Sequence, residues 1–178
     1  DAAKRIIEKT LEAGKAREYY QYRTFLFSYY ANRGEIAKAE QEIERLDFHE
    51  NMIPVLRGEY ENAVQKVSAY RKKVMNWVMY PIWRYEIARG YLKNKQYDKA
   101  LAQLDTMNTM YCSQYGYRAV FYPRSFYLRG QIHEAASEIS LAIENYQKLL
   151  NIWKNADQDL VVLVDTKRRI KKLQSSRL

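Results

Sequence analysis

The stretch Ile87-Ala-Arg-Gly-Tyr91, followed after five intervening residues by Tyr97-Asp-Lys-Ala-Leu101, decides how this chain is read. Continued forward, its second half sets Tyr97, Ala100, Leu104 and Met107 at steps of three, four and three. Those steps put all four residues on one face of an α-helix. The alanine lets a partner helix approach closely, and the bulky residues around it pack against that partner. The same spacing occurs in Ile36–Ala39–Ile43–Leu46, Tyr60–Ala63–Val67–Tyr70 and Ile139–Ala142–Tyr146–Leu149. Nine residues before three of the alanines stand Tyr30, Tyr91 and His133, and three before those stand Phe27, Ala88 and Gly130. A small residue at Ala88 and Gly130 permits close contact inside a helix pair.

Working outward, helical periodicity covers nearly the whole chain. Ile6, Ile7 and Leu11 share a face in the first segment, and Tyr19, Tyr22, Leu26, Tyr29 and Tyr30 recur at helical steps in the second. Gly34 suits a left-handed helix end. Further helices are expected at 35–47, in a short piece between 47 and 57 that stops near Pro54 and Gly58, and from about 60 toward the aromatic stretch Trp77–Trp83. Pro81 fits a first helical turn. Others follow at 82–94, 97–112, 124–136 after a loop with Gly116 and Pro123, 138–153 and 158–174, where Asn155-Ala-Asp157 marks a stop and restart. In the last of these, Leu160, Val164, Ile170 and Leu173 are expected to form the apolar face. Alternating strand patterns are essentially missing, so the fold class is all-α.

These residues resemble the tetratricopeptide repeat, in which a small residue and an aromatic on one helix meet an alanine and an aromatic on the next. The likeness covers about residues 20–153 and is strongest in the units 81–113 and 123–153. It implies antiparallel helix-turn-helix repeats stacked as a right-handed superhelix, an α-solenoid, over a single domain spanning 1–178. Residues 157–174 would be a C-terminal capping helix whose polar outer face closes the array. The chain opens inside a helical pattern, as a domain of a longer protein would. Departures are visible: the alanines are 24, 37 and 42 residues apart, against a regular period of about 34. Phe27 stands where a small residue is usual, and the longest step implies an insertion near Asn108–Tyr122.

Composition narrows the function classes. The 178 residues are 47% hydrophobic with six Gly and three Pro, enough for a core and too few breakers for a turn-rich β fold. Cys112 is the single cysteine, which excludes an internal disulfide and a multi-cysteine zinc site. No apolar run approaches the roughly 20 residues that cross a bilayer. The net charge of +9 is concentrated at the end. Lys167, Arg168, Arg169, Lys171, Lys172 and Arg177 follow the last acid, Asp165, leaving 24 basic residues against 21 acidic ones elsewhere.

No catalytic constellation stands out. His49 and His133 are far apart, and His133 sits at a packing position of the repeat. Glu40, Glu42, Glu44, Asp157 and Asp159 read as surface and capping groups, and the glycines are too scattered to cradle a phosphate. No cofactor, metal site or enzymatic activity is expected. Binding is the better search. In tetratricopeptide-like arrays the first helix of each pair lines the concave face, which implies Thr24, Ser28 and Asn32, then Tyr85, Arg89 and Lys93, then Arg124, Tyr127 and Gln131 as partner-facing residues. Tyr and Arg anchor peptides well. The Lys/Asn arrangement by which some such modules clamp a chaperone's C-terminal carboxylate is missing here. The expected partner is a protein or peptide. The alternative is a nucleic acid or other acidic ligand on the basic tail, Lys167, Arg168, Arg169, Lys171 and Lys172. Self-association through the aromatic stretches Trp77–Trp83 and Tyr111–Tyr122 is a further option.

Overall fold

A computed structural model of the chain describes residues 9, 26–27, 29–30, 33–44, 53–73, 79–109 and 117–175, and every regular element among them is helical. The helices are α1 (Ile36–Glu44), α2 (Ile53–Leu56), α3 (Tyr60–Lys73), α4 (Met79–Lys93), α5 (Tyr97–Asn108), α6 (Tyr117–Ala135), α7 (Ile139–Ile152) and α8 (Val161–Ser175). The chain divides into two compact units, Asp1–Lys66 and Val67–Leu178, with the division inside α3. The loop at Gly116, His49 and Cys112 lie outside the described residues.

The turns explain why the sequence folds into helix pairs. Gly34, Gly58, Lys95 and Ser137 have φ of 74°, 77°, 57° and 64°, the left-handed conformation that ends a helix. One residue later the backbone N–H donates back to the carbonyl five residues earlier. The pairs are Glu35 to Tyr30 at 3.0 Å, Glu59 to Pro54 at 2.8 Å, Gln96 to Tyr91 at 2.9 Å and Glu138 to His133 at 2.8 Å. A second bond closes the turn from Gly58 to Val55, Lys95 to Leu92 and Ser137 to Glu134. Carbonyls that a helix end leaves unmet are thereby satisfied. Lys95 and Ser137 adopt this conformation against the side-chain cost that glycine avoids. The carbonyls of Glu35, Glu59, Gln96 and Glu138 then accept from Ala39, Ala63, Ala100 and Ala142 as the next helix begins.

Each alanine therefore falls five residues after the left-handed residue, and all four are fully buried. Pro54 holds the place that Tyr30, Tyr91 and His133 hold in the other turns. It can do so because the position contributes only a carbonyl.

In the first unit Leu26, Phe27, Tyr30, Ala39, Tyr60 and Ala63 are buried, and Arg57 Nε donates to Glu40 Oε1 at 2.7 Å. In the second unit α4 packs along α5 and α6 along α7, while α6 also meets α4 and α5, and α8 meets α7. Trp83, Ile87, Ala88, Leu104, Leu128, Ile132, Tyr146 and Leu149 fill the space between. Polar contacts pin α6 to α5: Arg129 donates to Asp105 at 2.7 Å and Asn108 donates to Ser125 at 3.2 Å. Buried Arg84 on α4 donates to Gln103 of α5, and to Ser68 of α3 at 2.8 Å.

Two expectations are corrected. The helix expected at 124–136 begins at Tyr117, so Pro123 lies inside it, buried in the second turn. Residues 117–122 of the apparent insertion are thus an extension of α6. The apolar face of α8 is also rotated from the expected one. Leu163, Thr166 and Leu173 are buried with Ile170 half-buried, whereas Leu160, Val161 and Val164 are exposed. Thr166 fits an apolar face because its hydroxyl donates to the Val162 carbonyl at 2.6 Å.

Gly130 shows how tightly the last pair is closed. A β-carbon there would sit 2.3 Å from Tyr146 Cε1 and 2.4 Å from Cδ1. At the same positions the preceding pair has Ala88 and Leu104, also fully buried. Gly130→Ala should therefore destabilise the fold by about 1–3 kcal/mol through overpacking. Adding Tyr146→Leu, which copies the preceding pair, should recover part of that loss. Denaturant midpoints of the single and double variants check this, and a double variant no better than Gly130→Ala contradicts it.

Candidate functional site

Five of the residues expected to face a partner, Tyr85, Arg89, Lys93, Arg124 and Tyr127, lie within electrostatic reach of Tyr85 or Glu86. Tyr85, Arg89 and Lys93 stand four residues apart on α4, and Arg124, Tyr127 and Gln131 lie at steps of three and four on α6. Half-buried Glu86, which sequence reading did not select, lies among three of the cations. Its carboxylate accepts from Arg89 Nη1 at 2.8 Å. Burial pushes the Glu86 carboxyl up, opposed by the charges of Arg89, Lys93 and Arg124, which places all three cations within electrostatic reach. Tyr85 is 8% exposed, with its ring edge-on to Phe121 at 5.7 Å. Burial raises its hydroxyl to about 12, and Glu86, Arg89, Arg124 and Tyr127 all contribute to its surroundings. Arg124 is half-buried, and its Nε is shielded from solvent with no acceptor.

The face continues onto α8. Tyr127 Oη donates to Asp165 Oδ2 at 2.6 Å, and Asp165 also accepts from Arg168 and, at 2.6 Å, from Arg169 Nε. Arg169 Nη1 reaches Glu134 Oε2 at 2.8 Å, and the same oxygen accepts from Tyr146 Oη at 2.7 Å. Burial alone would raise the Asp165 carboxyl, but the bonds from Tyr127, Arg169 and Arg168 outweigh it and hold it down at about 2. Burial likewise opposes the charge on Arg169, and Asp165 and Glu134 overcome it, raising the guanidinium above its ordinary value. Six side chains from three helices thus form one charge-balanced network that seats α8 on the last pair.

The basic residues of α8 consequently divide. Arg169 is spent on the network, and Arg168 pairs with Asp165 while its side chain stays 75% exposed. Lys167 is exposed and donates to Gln158 at 2.7 Å. Lys171 and Lys172 are exposed, with Lys172 on the side of Asp165 and Arg168. Thr24, Ser28 and Asn32 lie outside the described residues. His133 keeps its packing position, with Nδ1 2.6 Å from Glu138 Oε2. Signals for the missed acids were present, since Glu86 precedes Arg89 by three residues and Asp165 precedes Arg168 and Arg169 by three and four. Such spacings pair charges within a helix.

Among the described residues no three His, Cys, Asp or Glu side chains gather as a metal site requires, and no helix is long and apolar enough to cross a membrane. No family model, no curated protein and no solved structure matches this chain. The chemistry of the face is therefore read from its own residues: forked donors, tyrosine edges and one compensated carboxylate.

Asp165 makes the network measurable. Its folded pKa lies below the ordinary 3.8, so its contribution is complete above that value and disappears as pH falls through about 2. Asp165→Asn should cost about 1–3 kcal/mol at neutral pH, the range for losing charged hydrogen bonds. The stability gap to wild type should persist down to about pH 4 and close toward pH 2. Urea melts of both proteins across that range test it, and a gap independent of pH contradicts the assignment.

Proposed function

We propose that this chain is a tetratricopeptide-like scaffold, its helix pairs stacked as a right-handed superhelix, that binds a peptide or protein partner through the α4–α6 face without catalysing a reaction. One observation carries the reading: Arg89, Lys93 and Arg124, from two first helices, act on the same carboxylate, Glu86, beside Tyr85. The four-fold recurrence of turn and buried alanine supports the repeat part of the proposal. Aromatic edges beside guanidinium groups are the chemistry of interface anchors: large contact area, few rotors and directional donors. Half-buried donors of this kind bind through geometry as well as charge, so affinity for a true partner survives moderate salt.

A second reading is nucleic-acid binding by α8, favoured by the exposed Lys167, Lys171 and Lys172. Its affinity would fall steeply with salt, because phosphate binding is driven by counterion release.

The test uses peptides selected from a random displayed library against the whole chain. Arg89→Ala should weaken the selected peptides by about tenfold, and Tyr85→Ala with Arg89→Ala by about 30-fold or more, in line with loss of interface anchors. Isothermal titration with a melting curve for each variant gives the measurement. Unchanged affinity in a folded double variant removes this face from the partner site.

A further inference from the structure

Among the described residues Arg124 is the half-buried cation of the face that stands without an ion pair. Arg89 is paired with Glu86, and Arg168 and Arg169 are paired with Asp165, with Arg169 also paired to Glu134. Arg124 has no hydrogen bond or ion pair among the described residues, and its Nε is already shielded from water. The side chain as a whole is only half-buried, and a carboxylate that meets the terminal N–H groups of its guanidinium forms a charge-assisted bond.

The row of charge is also continuous. From Arg89 and Glu86 it passes to Arg124 and Tyr85, then to Tyr127, then through the Tyr127–Asp165 hydrogen bond to Arg168. Asp165, Arg168 and Lys172 are spaced on α8 as Arg124, Tyr127 and Gln131 are on α6, at steps of three and four. The basic helix is thus the third wall of the same face rather than a separate tail. Along it, Arg89, Lys93, Arg124, Arg168, Arg169 and Lys172 stand against Glu86, Glu134 and Asp165, a surplus of three positive charges.

We propose that this row binds acidic peptide segments, with Arg124 and Arg168 each receiving a side-chain carboxylate. The proposal rests on the binding-face reading above and adds the chemistry of the ligand. Charge complementarity selects an anionic occupant, and the tyrosines select a peptide over a nucleic acid. Single strands bind by stacking bases on open aromatic faces. Here Tyr85 is buried against Phe121, and Tyr127 is packed on Tyr146 at 6.1 Å with its hydroxyl committed to Asp165. What these rings offer is an edge beside a forked cation, which suits a carboxylate on a flexible stem. Arg168 can serve while paired, because a guanidinium has five N–H donors and most of this side chain faces solvent.

The experiment titrates fluorescein-labelled octaglutamate with the whole chain by fluorescence anisotropy, beside octaserine and an oligothymidylate of equal charge. Saturable octaglutamate binding is expected, with octaserine inert. Arg124→Gln and Arg168→Gln should each weaken it at least fivefold, while Lys154→Gln, an exposed turn lysine outside the row, stays within twofold. Arg168→Gln changes an exposed side chain, so it remains informative should Arg124→Gln fail to fold. Absence of saturable binding overturns the proposal. Equal losses in Lys154→Gln overturn it too, because diffuse charge then explains the affinity. Tighter oligothymidylate binding with the same losses replaces the peptide by a nucleic acid. Library-selected peptides that respond to Arg89→Ala but not to Arg124→Gln leave the binding face standing and remove only its acidic ligand.

Discussion

The left-handed residue that ends each first helix is the constraint on which the rest depends. With φ near +60° to +80° at Gly34, Gly58, Lys95 and Ser137, the chain reverses in three residues and the next helix starts in a set phase. That phase delivers Ala39, Ala63, Ala100 and Ala142 to the helix contact five residues later. At this contact only a small side chain lets two helix backbones draw close. Burial of the large residues on either side then supplies most of the stability, at roughly 25 cal/mol for each Å² of apolar surface removed from water.

Close approach is accommodated differently in successive pairs. Between α6 and α7 the space is created by Gly130 and filled by the Tyr146 ring, whereas the equivalent buried positions of α4 and α5 hold Ala88 and the smaller Leu104. The exchange conserves volume across the interface, which packed interiors tolerate better than addition or removal of atoms. It also brings a hydroxyl into the core of the last pair. Tyr146 Oη needs an acceptor there and finds Glu134, whose charge is in turn met by Arg169 of α8. The seat of the terminal helix thus follows from the tyrosine beside Gly130.

The proposed binding face and the joint with the terminal helix share residues. Tyr127 belongs to the proposed row and to the joint with α8, where Tyr127, Arg169 and Arg168 together hold Asp165 ionised. A helix that reads as a basic tail in one dimension becomes part of a wall in three. Removing Arg169 from the pool of available cations and adding Arg124 changes which charges are free to meet a ligand.

Helical class, the turn at Gly34, and the buried alanines were legible in the sequence, because helical period and the glycine requirement are local properties of a few consecutive residues. The start of α6 was not, because proline is a boundary signal that packing can override, and Pro123 is buried within the helix. Nor was the face of α8: Val164 and Leu160 match Leu163 and Thr166 in period, and only the surface of α7 and the Asp165–Arg169 network select the rotation. Which cation is paired and which is free is likewise a tertiary matter. Partners such as Tyr127 and Asp165 lie 38 residues apart, and electrostatic energy depends on distance in space rather than separation along the chain.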